Sequence, residues 1–245
     1  MPLLFIVFGC TSPRHTISES KTLNTRINTN DSSFTADSSI IRLIAPYKSS
    51  LDSQMNVVVG YTEVDLIKKR PNGNLNNFIA DVIRIETSKK IGKPVDFAFT
   101  NISGLRIPSI PKGNITKGKL FELMPFDNMI VAAKINGTTL KQVLQKIASK
   151  GGEAISGFEM VISTHGKLIF ATYNGIKIDF NKDYIIATND FLFNGGDNYN
   201  MFSKNIIKTY PVAIPIRDMV MNHIKKLSAT NTSINPKTDE RIAVQ

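Results

Sequence analysis

The chain predicts a mixed α/β fold, with strands and helices alternating through a single body. Three observations support this. Some segments carry apolar residues at helical spacing, others carry them at every second position, and no period of about 20–50 residues repeats, which sets aside a solenoid. Leu75, Phe78, Ile79, Val82 and Ile85 mark a helix over 75–90 with one apolar face. Residues 95–100 alternate and read as a strand, and 129–135 read as another. Asn136-Gly137 is a turn signal, after which Thr138 or Thr139 can cap a helix carrying Leu140, Val143, Leu144 and Ile147. Gly151-Gly152 ends that helix. Short strands follow at 158–163, 167–172 and 176–180, with His165-Gly166 and Asn174-Gly175 as the turns between them. A strand at 184–188 and a final helix over 214–227 complete a body spanning 40–227. Residues 228–245 are polar again and are expected to fray as a tail.

Composition bounds the chemistry. Lysine and arginine number 30 against 20 acidic residues, a net charge of +10, which favours anionic partners. The lysines are scattered rather than clustered, so a nucleic-acid interface is not expected. One cysteine excludes a disulfide framework and any zinc site built on several thiolates. The three histidines, His15, His165 and His223, stand apart with no metal-ligand spacing between them. No Gly-x-Ser-x-Gly elbow, Walker loop or Gly-x-Gly-x-x-Gly run is present.

The amino terminus reads as a processing signal. Residues 1–9 are almost wholly apolar, and the run Val7-Phe8-Gly9-Cys10 resembles a bacterial lipobox, in which a peptidase cuts before the cysteine and the cysteine is acylated. Each buried CH₂ of an acyl chain contributes about 0.8 kcal/mol, so two or more chains hold a domain on a membrane. Cys10 is therefore the expected lipidation site. The segment lacks a basic region, which makes it a truncated signal. Residues 10–39, rich in Ser, Thr and Asn, are expected to form a flexible tether.

Three clusters can carry binding. The first, 100–106, follows a strand and offers Asn101 and the planar fork of Arg106, suited to phosphate or carboxylate. Taken alone, it reads first as an ordinary turn with a surface arginine. The second, 124–128, sets Phe126 between Pro125 and Asp127, either as a stacking platform for a base or as a core anchor for the loop. The third, 188–199, brings Phe191, the paired glycines Gly195 and Gly196, and Asp197 into one loop after a strand. Paired glycines permit close backbone approach, and a carboxylate can hold vicinal hydroxyls; the alternative is a hairpin turn with local side-chain capping.

Together with LNNFIAD at 75–81, GNIT at 113–116 and NGTTL at 136–140, these clusters resemble, in order and spacing, the C-terminal domain of the 5′-nucleotidase and UDP-sugar hydrolase family. The likeness covers roughly 55–205. It implies a four-layer α/β/β/α arrangement. It also implies that Phe126 and Phe191 sandwich a base, that Asn101 and Arg106 contact substrate, and that Asn128 contacts the base. By the same resemblance Asp197 binds ribose beside Gly195 and Gly196, and Lys69 or Arg70 stands where a further family arginine lies. Two departures bear on loop geometry: Asn76-Asn77 replaces a usual Gly-Asn pair, and Ser103 stands where glycine is usual.

The family's metal-ligand motifs, of the Asp-x-His and Gly-Asn-His types, appear nowhere in the sequence. The resemblance therefore implies a nucleotide- or nucleoside-binding domain for a 5′-nucleotidase-type hydrolase in nucleotide catabolism. Catalytic residues and cofactors are expected to be absent from this chain, with divalent metals carried by a separate metallophosphoesterase chain. The alternative is a stand-alone nucleoside or nucleotide receptor. With a lipid anchor, either would act outside the cytoplasm, in the periplasm or at the outer membrane of a bacterial envelope.

Overall fold

The computed structural model of the protein describes residues 19–22, 37–203, 205–236 and 238–245. Cys10, the apolar segment before it and most of the expected tether lie outside them. The elements in chain order are α1 (Ser38–Met55), β1 (Val58–Thr62), β2 (Leu66–Ile67), α2 (Asn74–Ile91), β3 (Phe97–Thr100), β4 (Ser109–Ile110), β5 (Gly113–Thr116), α3 (Lys117–Leu123), β6 (Ile130–Asn136) and α4 (Gly137–Ser149). There follow β7 (Ala154–Ser156), β8 (Glu159–Ile162), β9 (Leu168–Tyr173), β10 (Ile176–Lys177), β11 (Asp183–Asn189), α5 (Asp190–Phe193), β12 (Ile206–Tyr210), α6 (Ile216–Ala229) and β13 (Ile242–Val244). Helix α1 begins inside the end of the expected tether, where Asp37 accepts from the Ser39 backbone at 2.8 Å, and none of its residues is buried.

A five-stranded mixed sheet in the order β12-β6-β11-β3-β7 forms the centre, and a four-stranded mixed sheet in the order β10-β9-β8-β13 packs beside it. Register explains how the central sheet is covered. Ala187 pairs with Ala98 on one side and with Ala132 on the other, so a row of alanines crosses three strands. These small side chains let α2 and α6 pack closely through Leu75, Ile79, Ile83, Val220 and Ile224. The alternate positions, Phe97, Phe99, Ile135 and Ile186, point to the opposite face. There they meet Leu140, Val143, Leu144 and Ile147 of α4 and the inner residues Met160, Ile162 and Ala171 of the second sheet. The mixed α/β class with two mixed sheets is thus the one the motifs implied.

Two expectations are corrected. The Asn136-Gly137 pair does not form a turn ahead of the helix: Asn136 ends β6 and Gly137 opens α4. Asn136 itself caps α4, its side chain accepting from the Thr139 backbone at 2.8 Å, and neither threonine is the cap. Gly137 is needed because a Cβ there would collide with the backbone of Phe180. The second correction concerns 228–245, whose described residues are tied to the body rather than frayed. Ile242, Ala243 and Val244 pair parallel to β8, and Ile234 is buried. Arg241 grips Asp81 with both terminal nitrogens at 2.8 Å, and Asn77 donates to Asp239 at 2.6 Å. A polar composition concealed the segment's role because most of its attachment is ionic or through edge pairing. Asn77, the second residue of the pair that stands in place of the usual Gly-Asn, is buried and ties this segment to α2.

Candidate functional site

Strand order decides where the clusters meet. β3 and β11 are parallel neighbours, so the loops leaving their C-terminal ends emerge side by side. β6 is antiparallel to β11 with Ile130 opposite Asn189, which brings the 124–128 loop to the same edge. β7 is antiparallel to β3 with Ala154 opposite Thr100, which brings Gly151, Gly152 and Glu153 there as well. Four segments far apart in sequence therefore share one rim.

Asn101, Ser103, Gly104, Arg106, Phe126, Asn128, Phe191 and Asp197 line a single cleft of about 360 Å³ at this rim. Phe126 is 47% exposed and Phe191 45% exposed, although both are large apolar side chains. Neither ring is a core anchor for its loop. The Arg106 guanidinium lies over the Phe126 ring, 4.8 Å from its centroid, a cation–π geometry that holds the ring against the cleft wall. A second cavity that shares Asn101, Gly104, Phe126 and Asn128 with the cleft is lined by the apolar residues Ile79, Leu105, Met124 and Ile216.

Each wall is fixed by hydrogen bonding from beneath. Asn189 caps α5, accepting from the Leu192 backbone at 2.8 Å, so the third cluster is a short helix rather than an open loop. Its amide donates to Thr100 Oγ1 and to Asn101 Oδ1, both at 2.9 Å, and locks the first and third clusters together. Asn101 in turn donates to Ser103 Oγ at 2.9 Å, which gives the serine at the usual glycine position a local role. Asn101 thus lines the cleft while its side chain braces the loop. The 124–128 loop is held by buried Arg217, which donates to the Met124 carbonyl at 3.0 Å and pairs with Asp127. The same guanidinium stacks over Phe121 at 3.9 Å. Gly195 adopts φ +96° and opens a tight turn, in which Asp197 sits at φ 54°, ψ 23°. Aspartate tolerates that left-handed region better than most residues.

Lys69 and Arg70 do not line the cleft. Lys69 lies with Pro71, Asn72 and Ile242 at a separate depression. Arg70 is engaged beneath the rim, donating to the carbonyls of Lys150 and Gly152 at 3.0 and 2.9 Å and pairing with Glu153 at 3.2 Å. Its neighbour Lys68 reaches nearer, donating to the Leu105 carbonyl at 2.7 Å. Sequence reading did not single out Asn189, Arg217, Lys150, Glu153 or Tyr199. Their signal was weak: a polar residue closing a strand, an arginine opening a helix, and charges flanking Gly151-Gly152.

Glu153 is 1% exposed, and burial raises its pKa, opposed by the Ile102 N–H and by the charges of Arg70 and Lys150. Burial, with the negative charges of Glu153 and Asp197, also pushes the Tyr199 phenol up. Among the described residues no three His, Cys, Asp or Glu side chains converge as metal ligands. The cleft's chemistry is that of grip: two apolar faces, one guanidinium, two amides, one hydroxyl and one carboxylate.

Residues 58–204 match the family model for the 5′-nucleotidase C-terminal domain. The chain is 33% identical over 178 residues to the trifunctional nucleotide phosphoesterase protein YfkN of Bacillus subtilis, covering 64% of this chain and 12% of that protein. It is 26% identical over 241 residues to the cell wall protein Lmo0130 of Listeria monocytogenes, covering 88% and 30% respectively. Among solved structures, the 5′-nucleotidase precursor from Thermus thermophilus superposes with a TM-score of 0.72 at 23% identity, over 83% of this chain and 42% of that one. The chain therefore spans less than half the length of each of these relatives. Because the family model covers more than half of its residues, the chain belongs to the 5′-nucleotidase C-terminal domain family.

Proposed function

We propose that the cleft binds the nucleoside part of a nucleotide or nucleoside, and that the chain serves as the substrate-binding domain of a 5′-nucleotidase-type hydrolase in nucleotide catabolism. The observation that supports this best is the pair of half-exposed rings, Phe126 and Phe191, lining one cleft with Arg106, Asn128 and Asp197. A flat heterocycle between the rings gains stacking on each face. Asn128 offers both a donor and an acceptor to the base edge. Asp197 accepts from ribose hydroxyls, and Arg106 offers a fork to an oxyanion.

Phosphoryl transfer needs groups these residues do not supply. In this reading a metallophosphoesterase unit outside the 245 residues, carried on a separate chain, brings divalent metals that activate water and clamp the phosphoryl group. The same reading places the protein outside the cytoplasm, anchored through acylated Cys10. The Val7-Phe8-Gly9-Cys10 run and a relative named as a cell wall protein support that placement. No helix among the described residues is long and apolar enough to cross a membrane.

The test is calorimetric titration of the purified chain with adenosine and AMP. Both should bind, and Phe126→Ala and Phe191→Ala should each weaken binding by roughly 5- to 150-fold, from about 1–3 kcal/mol of stacking per face. Unchanged affinity in both variants would sink the stacking assignment.

A further inference from the structure

Beneath the Asp197 end of the cleft lies an ionic cluster built on buried Glu153, with Lys150, Asp197 and Arg70 partly exposed around it, that the stacking model leaves unused. Glu153 Oε2 accepts from the Ile102 backbone at 2.7 Å and from Arg70 at 3.2 Å. Lys150 Nζ stands between two carboxylates, 3.0 Å from Asp197 Oδ2 and 3.9 Å from Glu153 Oε1. Both of those carboxylate oxygens are buried and have no other polar partner, and the Tyr199 hydroxyl buried with them has none. Arg70 closes the arrangement by holding the carbonyls of Lys150 and Gly152.

The consequence for Asp197 is geometric. Its Oδ2 faces inward to Lys150, so Oδ1 is the oxygen left for a ligand in the cleft. Without the ammonium, a carboxylate in a left-handed turn beside buried Glu153 would meet like charge and swing toward solvent. Glu153 also anchors Ile102, next to Asn101, so one carboxylate fastens the first cluster and, through Lys150, the third.

We propose that Lys150, seated on Glu153, is the positioning residue that aims one oxygen of Asp197 into the cleft and so confers discrimination for ligands bearing ribose hydroxyls. This rests on the nucleoside-binding reading above. Lys150 does not touch the ligand; it acts through Asp197. Loss of a hydrogen bond between a hydroxyl and a charged acceptor corresponds to roughly 10- to 100-fold in affinity.

The experiment titrates the full chain and its Lys150→Met and Lys150→Arg variants with adenosine and with 2′,3′-dideoxyadenosine. The wild type should prefer adenosine by about tenfold or more. Lys150→Met should bring the preference close to one while leaving dideoxyadenosine affinity unchanged, and Lys150→Arg should restore most of it. A purely structural role for Lys150 would weaken both ligands alike, and that result overturns the inference. So does a preserved preference in Lys150→Met, or a wild type that binds both nucleosides equally. A wild type that binds neither overturns the nucleoside-binding reading itself.

Discussion

Gly196 shows how one missing side chain shapes the cleft. A Cβ at this position would lie 2.5 Å from the Phe191 carbonyl oxygen and 2.6 Å from two atoms of the Phe191 ring. Real Cβ atoms do not approach so closely, so the ring would be driven from its place on the wall. Gly196→Ala should lower stability by about 1–3 kcal/mol, the usual cost of overpacking. It should also weaken adenosine binding at least as much as Phe191→Ala does; thermal unfolding and calorimetry check the two effects. A Gly196→Ala protein that matches the wild type in both would show that the ring can be accommodated elsewhere. Phe126, Phe191, Arg106 and Asp197 were picked out in sequence by the ordered family motifs that contain them; taken alone, Arg106 read first as a surface arginine and Phe126 could equally have anchored its loop in the core. Arg217, Asn189 and Glu153 were not picked out, because what marks them is burial of a polar group, and burial is a property of the folded chain.

At the level of elements, the carboxy-terminal segment carries more structure than its composition suggests. Arg241 is largely buried, pairs with Asp81 and Asp239, and donates to the Ile155 carbonyl at 2.7 Å. Removing one partner of a buried pair typically costs about 3–5 kcal/mol, but Asp81 is about a third exposed and screening reduces the loss. Arg241→Met should therefore destabilise the protein by about 1–3 kcal/mol in denaturant titrations, with the far-ultraviolet signal of β13 lost first. Denaturation at the wild-type midpoint would show that β13 is held by its backbone pairing alone. The helices at 74–91 and 137–149 were readable from apolar spacing, which is local information. The cap of α4 was misplaced by two or three residues, since Asn-Gly before an apolar run is compatible with a hairpin turn and with a capped helix. The Asn136 cap and the close approach of Phe180 to Gly137 decide for the helix.

For the whole molecule, the strongest prediction concerns division of labour. The purified chain with AMP and a divalent metal should release no phosphate above background, whereas adding a metallophosphoesterase partner should produce metal-dependent release that Phe126→Ala and Phe191→Ala diminish. A phosphate-release assay reads the outcome, and robust release by the chain alone would refute the assignment of the metals to another polypeptide. Binding of adenosine that persists without any partner-dependent turnover would favour the stand-alone receptor.

The sequence by itself determined the mixed α/β class, the main helices and strands, and the family, because periodicity, glycine punctuation and six ordered motifs are encoded along the chain. Tertiary structure alone decided that the clusters converge, that Lys69 and Arg70 stand away from the cleft, and that the final residues complete a sheet. The physical reason is strand order. A parallel β3–β11 pair flanked by antiparallel β6 and β7 gathers four distant loop ends at one edge, and pairings between strands depend on contacts that no local pattern specifies.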